Sequence, residues 1–247
     1  MFVHVLYTSP DWGGPSVYDV SELYGEQGRF RTLGFADGAV QGAIDLNDPQ
    51  RIVLEYPRAL IHLMEENGPG FRRAFLIGHG AGTIPSRYEA SRFHVAEISG
   101  EVIALSRRWF GYPHDNVVQG DGRGLLEQEP DGSLDFILLD AFTASGTPTH
   151  LLSRTFFALT GSKLTQEGAL LLNLAAKGRE DRRLNAVYAT LARIYPHISA
   201  FELKGGGVHD LRNVVLIAGQ KPAAYKLRRM AGFRRRRLDH GYIIEDS

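Results

Sequence analysis

The stretch AFLIGHGAGTIP, Ala74–Pro85, decides the fold. Four apolar residues run directly into a turn that contains Gly78, Gly80 and Gly82. This pattern predicts a buried parallel strand, then a tight turn and a helix start, where free N–H groups and missing side chains let a nucleotide approach the backbone. Thr83 stands where a dinucleotide fingerprint has its third glycine, and no Gly-Lys-Ser/Thr sequence follows, so the turn alone does not identify the nucleotide.

The pattern around this stretch divides the chain into three parts. Residues 1–50 are rich in glycine and in short apolar runs, which predicts a small β-strand region. In residues 51–220, strand and helix patterns alternate, which predicts a parallel sheet with helices on both faces. The strands HISAFEL and RNVVLIAG have no helix between them and are expected to form an antiparallel edge hairpin. Residues 221–247 are a tail, basic and then acidic, for which a surface helix and a frayed end are expected.

The composition excludes several kinds of function. Lysine and arginine together equal aspartate and glutamate, 28 each, whereas a nucleic-acid binder usually has a basic excess, so no nucleic-acid partner is expected. The absence of cysteine excludes disulfides, thiolate metal ligands and cysteine nucleophiles. No secretory signal and no apolar run of about 18 residues is present, which predicts a cytoplasmic protein without a membrane partner.

The histidines do not indicate a metal site. None of the nine forms a ligand-spaced pair on a predicted helix or strand, so no metal is expected. His79, inside the glycine turn, is expected to be exposed to solvent, although contact with the ligand is the other interpretation.

Three further strand ends carry acidic residues, and ligands on open parallel sheets bind beyond these ends. Glu97 follows the second strand, about 20 residues after the glycine turn, where an acid accepts hydrogen bonds from ribose hydroxyls; a surface glutamate is the alternative. Asp121 and Gly122 follow the third strand. The Asp121 carboxylate can accept a hydrogen bond from an adenine amine, and a plain Asp-Gly turn explains the motif equally well. Asp140 emerges behind four apolar residues in the middle of the predicted cleft, with a helix cap as the alternative.

Together with DGAVQ, Asp37–Gln41, and with Tyr56, these strand ends resemble the spermidine synthase family, a branch of the S-adenosylmethionine-dependent methyltransferase fold. The resemblance runs from about residue 30 to residue 218. It implies an α/β fold with a Rossmann-like, seven-stranded, methyltransferase-type sheet that ends in an antiparallel edge hairpin. It also implies that relatives commonly pair through their N-terminal strands, so a homodimer is expected.

The same resemblance implies a role for each site residue. Gln41 and Tyr56 would face the amino-acid or aminopropyl end of S-adenosylmethionine or of its decarboxylated form. Glu97 would hold the ribose and Asp121 the adenine, while the glycine turn and Gly122 leave room for the nucleoside. Asp140 would position and deprotonate the attacking amine, and this displacement needs no metal.

Two departures from the family pattern shape the expected activity. Ala81 stands where polyamine-making members carry an aspartate, and Thr143 replaces the second acid of their Asp-Ser-Ser-Asp-Pro run. A polyamine is a dication, so both changes favour methyl transfer to a small amine or similar nucleophile over aminopropyl transfer. A true polyamine aminopropyltransferase is the alternative, a non-catalytic nucleoside-binding member is a further one, and a nicotinamide oxidoreductase is disfavoured by Thr83 and by the edge hairpin.

Overall fold

The computed structural model describes residues 2–35, 40–143, 146–178, 181–203 and 211–246. Its N-terminal part is a four-stranded antiparallel sheet in the order β1-β2-β3-β4. The strands are β1 (Val3–Thr8), β2 (Ser16–Leu23), β3 (Glu26–Gly34) and β4 (Val40–Asp45). This sheet confirms the predicted N-terminal β-strand region.

The rest of the chain forms a mixed sheet flanked by helices. The strand order is β12-β10-β11-β9-β8-β5-β6-β7. The strands are β5 (Ala74–Ile77), β6 (Phe93–Glu97), β7 (Val117–Gln119), β8 (Leu134–Leu139), β9 (Leu164–Lys177), β10 (His197–Leu203), β11 (Leu211–Gly219) and β12 (Phe233–Arg236). The helices are α1 (Glu55–Asn67), α2 (Gly100–Phe110), α3 (Gly122–Glu127), α4 (Arg154–Lys163) and α5 (Arg182–Leu191).

The pairing in this sheet confirms the predicted fold class. Strands β5 to β9 pair with one another in parallel, whereas β11 is antiparallel to both β9 and β10. Helices α3, α4 and α5 pack on one face and α1 on the other, so the apolar strands in the middle are buried on both sides. Helix α2 contacts β6 and β7 and also packs against the N-terminal sheet.

The tail corrects two sequence-based expectations. Residues 233–236 form β12, which pairs with β10 and adds an eighth strand to the seven that were expected. The tail is not a surface helix with a frayed end, because Met230, Phe233 and Ile244 are buried in the two main cores. The many arginines in this segment make its sequence polar overall, so the burial of these three apolar residues could not be predicted from the pattern.

The connection from β5 to β6 also differs from the expectation. A helix was predicted to start after the glycine turn, but this part of the described chain has only single 3-10 turns, at Pro85–Arg87 and Ala90–Arg92. The glycine turn is therefore not followed by a long helix, and its free N–H groups have little help from a helix dipole. No helix within the described ranges is long and apolar enough to cross a membrane.

Candidate functional site

The ends of β5 and β8 meet closely and bring the glycine turn beside Asp140. Asp140 N donates a 2.8 Å hydrogen bond to Ile77 O. A Cβ atom on Gly78 would lie 2.2 Å from Asp140 O, and Gly78 has a φ of +93°. Glycine is therefore required at position 78 by the contact between the two strand ends, whether or not a ligand is bound.

The other predicted glycines have different surroundings. A Cβ on Gly82 would lie 2.4 Å from the Tyr112 ring, and one on Gly122 would lie 2.3 Å from Ile77 Cγ2. Gly80 has more room, because the nearest atom to its added Cβ is Gln41 O at 3.7 Å. Packing within the chain thus explains Gly82 and Gly122, while Gly80 leaves space for a ligand.

Glu97 connects the glycine turn to the start of α2. Its Oε2 accepts a 2.8 Å hydrogen bond from His79 N and its Oε1 a 2.9 Å bond from Ser99 N. Only 8% of Glu97 is exposed, so the surface-glutamate alternative is wrong. Each carboxylate oxygen keeps a second lone pair that can accept a ribose hydroxyl, and this role stays a prediction.

His79 is buried behind the glycine turn, with 6% of the residue exposed. The Ser106 hydroxyl donates to Ile103 O, so the network assigns the 2.8 Å contact between His79 Nε2 and Ser106 Oγ to an Nε2–H donor. Burial lowers the pKa of His79 to about 4, which keeps the ring neutral at pH 7. The expected solvent exposure was wrong because the ring packs edge-on against Tyr112, at 4.5 Å between centroids.

Asp140 lies at the centre of a small polar network. Its Oδ1 accepts a 2.8 Å hydrogen bond from Asn173 Nδ2, and Asn173 Oδ1 accepts a 2.9 Å bond from Asn213 Nδ2. Burial, with a smaller effect of the Glu97 charge, raises the pKa of Asp140 to about 7, although hydrogen bonds from Asn173 and Tyr56 oppose the shift. Both protonation states of Asp140 are therefore populated at neutral pH, as suits a general base.

Strand β4 and the start of α1 cover the glycine turn. Tyr56 Oη donates a 3.1 Å hydrogen bond to Gln41 O and also lies within hydrogen-bonding reach of Asp140. A Cβ on Gly42 would lie 2.6 Å from Ala81 Cβ, so the N-terminal sheet contacts the turn directly. The structure thus brings Tyr56 to Asp140 and Gln41 to Tyr56, while Asp37 of the DGAVQ motif lies outside the described residues.

Asp121 is the N-cap of α3. Its Oδ1 accepts 3.0 Å hydrogen bonds from the backbone N–H groups of Arg123 and Gly124, and its Oδ2 contacts His150 Nε2 at 3.0 Å. Burial opposes ionisation, but these hydrogen bonds outweigh it and lower the pKa of Asp121. The carboxylate is about half exposed, so it can accept a further bond, and its contact with adenine stays a prediction.

Sequence reasoning missed three residues of this region. Ile98 follows Glu97 at the same sheet edge and is 70% exposed, which is unusual for an isoleucine beside a cleft. Asn173 interrupts the apolar run GALLLNLA, and this polar residue inside a buried strand was a usable signal. Asn213 gave no comparable signal, because its role follows from the pairing of β11 with β9.

A cavity of about 760 Å³ adjoins this network. Gln41, Tyr56 and Asn213 line one part of it, and Phe142, Thr143 and Ala175 line another. Glu97 and Asp121 are not among the residues that line it. Within the described residues, no cluster of three or more histidine, aspartate or glutamate side chains could hold a metal ion.

Comparison with curated proteins identifies relatives of one type. The chain is 31% identical over 175 residues to a polyamine aminopropyltransferase of Vibrio vulnificus, which covers 66% of this chain and 58% of the relative. The predicted resemblance to the spermidine synthase family is confirmed. A polyamine aminopropyltransferase of Chromobacterium violaceum is 29% identical over 64% of each chain. The matched segments thus span less than two thirds of either relative, and no family model matches the chain.

The structural comparison agrees with this relationship. A probable spermidine synthase from Corynebacterium glutamicum superposes with a TM-score of 0.70 at 21% identity, covering 88% of this chain and 79% of the other. At that identity the likeness shows the fold alone. A more distant curated relative, an eEF1A lysine and N-terminal methyltransferase from Bos taurus, is 24% identical over 67% of this chain and 24% of its own length. The comparisons therefore support the alternative expectation, aminopropyl transfer, better than the main expectation of methyl transfer.

Proposed function

We propose that this chain is a transferase that moves the aminopropyl group of decarboxylated S-adenosylmethionine to a small amine. The observation that carries the proposal is Asp140, a partly enclosed carboxyl group that has a pKa raised to about 7 and accepts a 2.8 Å hydrogen bond from Asn173. The relatives named above support the choice of the transferred group.

The nucleoside would lie along the carboxyl ends of β5, β6 and β7. Gly80 leaves the space for it, Glu97 would accept from the ribose hydroxyls, and Asp121 would accept from the adenine amine. The exposed Ile98 side chain would cover one face of the adenine ring, because burying an isoleucine against an apolar surface is favourable.

The charge of the site supports the decarboxylated donor. The Glu97 charge raises the pKa of Asp140, so the two carboxylates are close enough to interact. A donor with an ammonium and a sulfonium but no carboxylate suits such a site, whereas intact S-adenosylmethionine would bring a third carboxylate. Ala81 removes one acid, but the described site keeps these two.

The reaction requires only positioning and one proton acceptor. The neutral amine nitrogen attacks the aminopropyl carbon next to the sulfonium, the carbon–sulfur bond breaks, and its electron pair stays on sulfur to give methylthioadenosine. The new nitrogen–carbon bond leaves a positive nitrogen, which loses its proton to the Asp140 carboxylate. Asn173 fixes the orientation of that carboxylate, and fixed geometry supplies much of the rate in such displacements.

The test compares two donors. Decarboxylated S-adenosylmethionine with an amine should release methylthioadenosine, and intact S-adenosylmethionine should release little S-adenosylhomocysteine. Asp140→Asn should abolish the reaction, whereas Asp135→Asn should retain it, because Asp135 lies at the opposite end of β8 and accepts from Arg72 N and Arg73 N. Nucleoside binding without turnover would support the non-catalytic alternative instead. A homodimer and a cytoplasmic location stay predictions.

A further inference from the structure

Residues 244–246 of the tail are anchored on two helices. Ile244 is buried, its N–H donates a 2.9 Å hydrogen bond to Thr190 Oγ1 on α5, and its carbonyl accepts a 2.8 Å bond from Arg154 N at the start of α4. These contacts fix the course of the backbone up to two acidic residues, Glu245 and Asp246.

Asp246 forms a two-point ion pair with Arg123 near the start of α3. Its Oδ1 lies 2.9 Å from Arg123 Nη1 and its Oδ2 lies 3.1 Å from Arg123 Nη2, while Thr155 Oγ1 also donates to this carboxylate. The hydrogen bonds from Arg123 lower the pKa of Asp246, so the group stays ionised at neutral pH. Paired bonds of this kind fix the orientation of a guanidinium group as well as its position.

Arg123 and His150 connect this ion pair to Asp121. Arg123 lies two residues after Asp121, and its Nη1 also donates a 3.3 Å bond to His150 O. The His150 ring contacts Asp121 Oδ2 through Nε2 at 3.0 Å, and Nε2 is the donor because a carboxylate only accepts. The segment of residues 244–246 is therefore linked to the carboxylate for which contact with adenine is predicted.

The Arg123 guanidinium has other carboxylates within electrostatic reach. Hydrogen bonds to Asp246 raise the pKa of Arg123, and the charges of Glu127 and Asp121 raise it further. Glu127 Oε1 lies 3.7 Å from Arg123 Nε, which is longer than a hydrogen bond. Without Asp246 the guanidinium is free to turn toward Asp121 and occupy the lone pairs that an adenine amine would use.

We infer that Asp246 is a positioning residue for adenine recognition. By holding Arg123, it keeps Asp121 Oδ2 open as an acceptor for the exocyclic amine. The inference rests on the proposed function, because it takes Asp121 as the adenine contact. A purine with an oxygen in place of this amine would bring an acceptor toward the carboxylate, so the arrangement selects an amino purine.

Calorimetry with methylthioadenosine and methylthioinosine, which carries an oxygen in place of the amine, measures this selection. The wild type should bind methylthioadenosine about tenfold more tightly, as expected for one hydrogen bond to a charged group. Asp246→Ala should reduce this ratio to about twofold or less, whereas Glu245→Ala should keep it, because Glu245 pairs with Arg154 instead. Both variants lose one ion pair of the same segment, so a purely structural role would affect them alike. Since the ratio compares two ligands on one preparation, a fraction of unfolded protein does not change it.

The outcomes separate this inference from the proposed function. A wild-type ratio in Asp246→Ala, with a reduced ratio in Asp121→Asn, would overturn the inference and leave Asp121 as the adenine contact. A ratio near one in the wild type, or no binding of either nucleoside, would overturn it as well. Release of methylthioadenosine from the decarboxylated donor with 1,4-diaminobutane is measured separately. No release, together with the expected ratios, would contradict aminopropyl transfer and support the inference.

Discussion

Asn173 donates a 2.8 Å hydrogen bond to Asp140, and Asn213 fixes the orientation of the Asn173 amide from the neighbouring strand. This bond stabilises the ionised carboxylate and so opposes the rise in the pKa of Asp140. In Asn173→Ala we expect a further rise, which moves the acid limb of the kcat/KM profile above its position near pH 7. A pH profile of methylthioadenosine release measures this shift. An acid limb that does not move, in a variant that unfolds normally, would show that Asn173 does not position Asp140.

Asp140 should make the folded protein less stable as the pH rises. Its pKa is raised from 3.8 to about 7, so between these values the folded state binds more protons than the unfolded state, and the free energy of unfolding falls with pH. Asp140→Asn removes this dependence. In denaturant unfolding, the free energy of unfolding of Asp140→Asn relative to that of the wild type should rise from about pH 4 to pH 7. Asp135→Asn is the matched control. Parallel curves for wild type and Asp140→Asn would contradict the raised pKa.

His79 should produce the opposite dependence. Its pKa is lowered from 6.5 to about 4 by burial, so the unfolded state binds more protons in that window. Stability that is present above pH 6.5 is therefore lost as the pH falls toward 4. Denaturation of His79→Gln should show a flatter acid limb together with a loss of about 1–3 kcal/mol at neutral pH, from the broken Ser106 contact. His150→Gln, at an exposed position, is the control. If the stability of His79→Gln falls with falling pH as in the wild type, the lowered pKa of His79 is wrong.

Glu97→Gln should weaken both the fold and nucleoside binding. A carboxamide has one acceptor oxygen, so either His79 N or Ser99 N loses its partner, at a cost of about 1–3 kcal/mol in the free energy of unfolding. The affinity for methylthioadenosine should fall by a similar amount, which calorimetry would measure. Glu101→Gln is the control, because Glu101 instead accepts from Tyr7 and Ser9. A destabilised variant with unchanged affinity would leave Glu97 a purely structural residue.

The fold and the strand-end residues could be predicted because their signals are local. The four apolar residues before Gly78 and those before Asp140 form β5 and β8, which are nearly or fully buried. Parallel strands place their carboxyl ends at one edge of the sheet. An acidic residue that directly follows such a strand can therefore be assigned to the cleft from the sequence alone. Glu97 and Asp140 follow this rule.

The remaining features depend on contacts between distant segments. The burial of His79 requires Ser106 and Tyr112 from α2 and the loop after it, and β12 exists because β10 offers an unpaired edge. Sequence reasoning also related the glycines to ligand access, whereas Gly78 is required by Asp140 O. Such contacts become visible only when the pairing of the elements is known.

The central claim is that the aminopropyl group, and not the methyl group, leaves the sulfonium. Decarboxylated S-adenosylmethionine with a deuterated S-methyl group distinguishes the two directly by mass spectrometry, with 1,4-diaminobutane and butylamine as acceptors. We predict that the deuterium stays in methylthioadenosine and that the acceptor gains one unlabelled aminopropyl unit, in a reaction lost in Asp140→Asn. An acceptor that carries the deuterated methyl group would contradict the account.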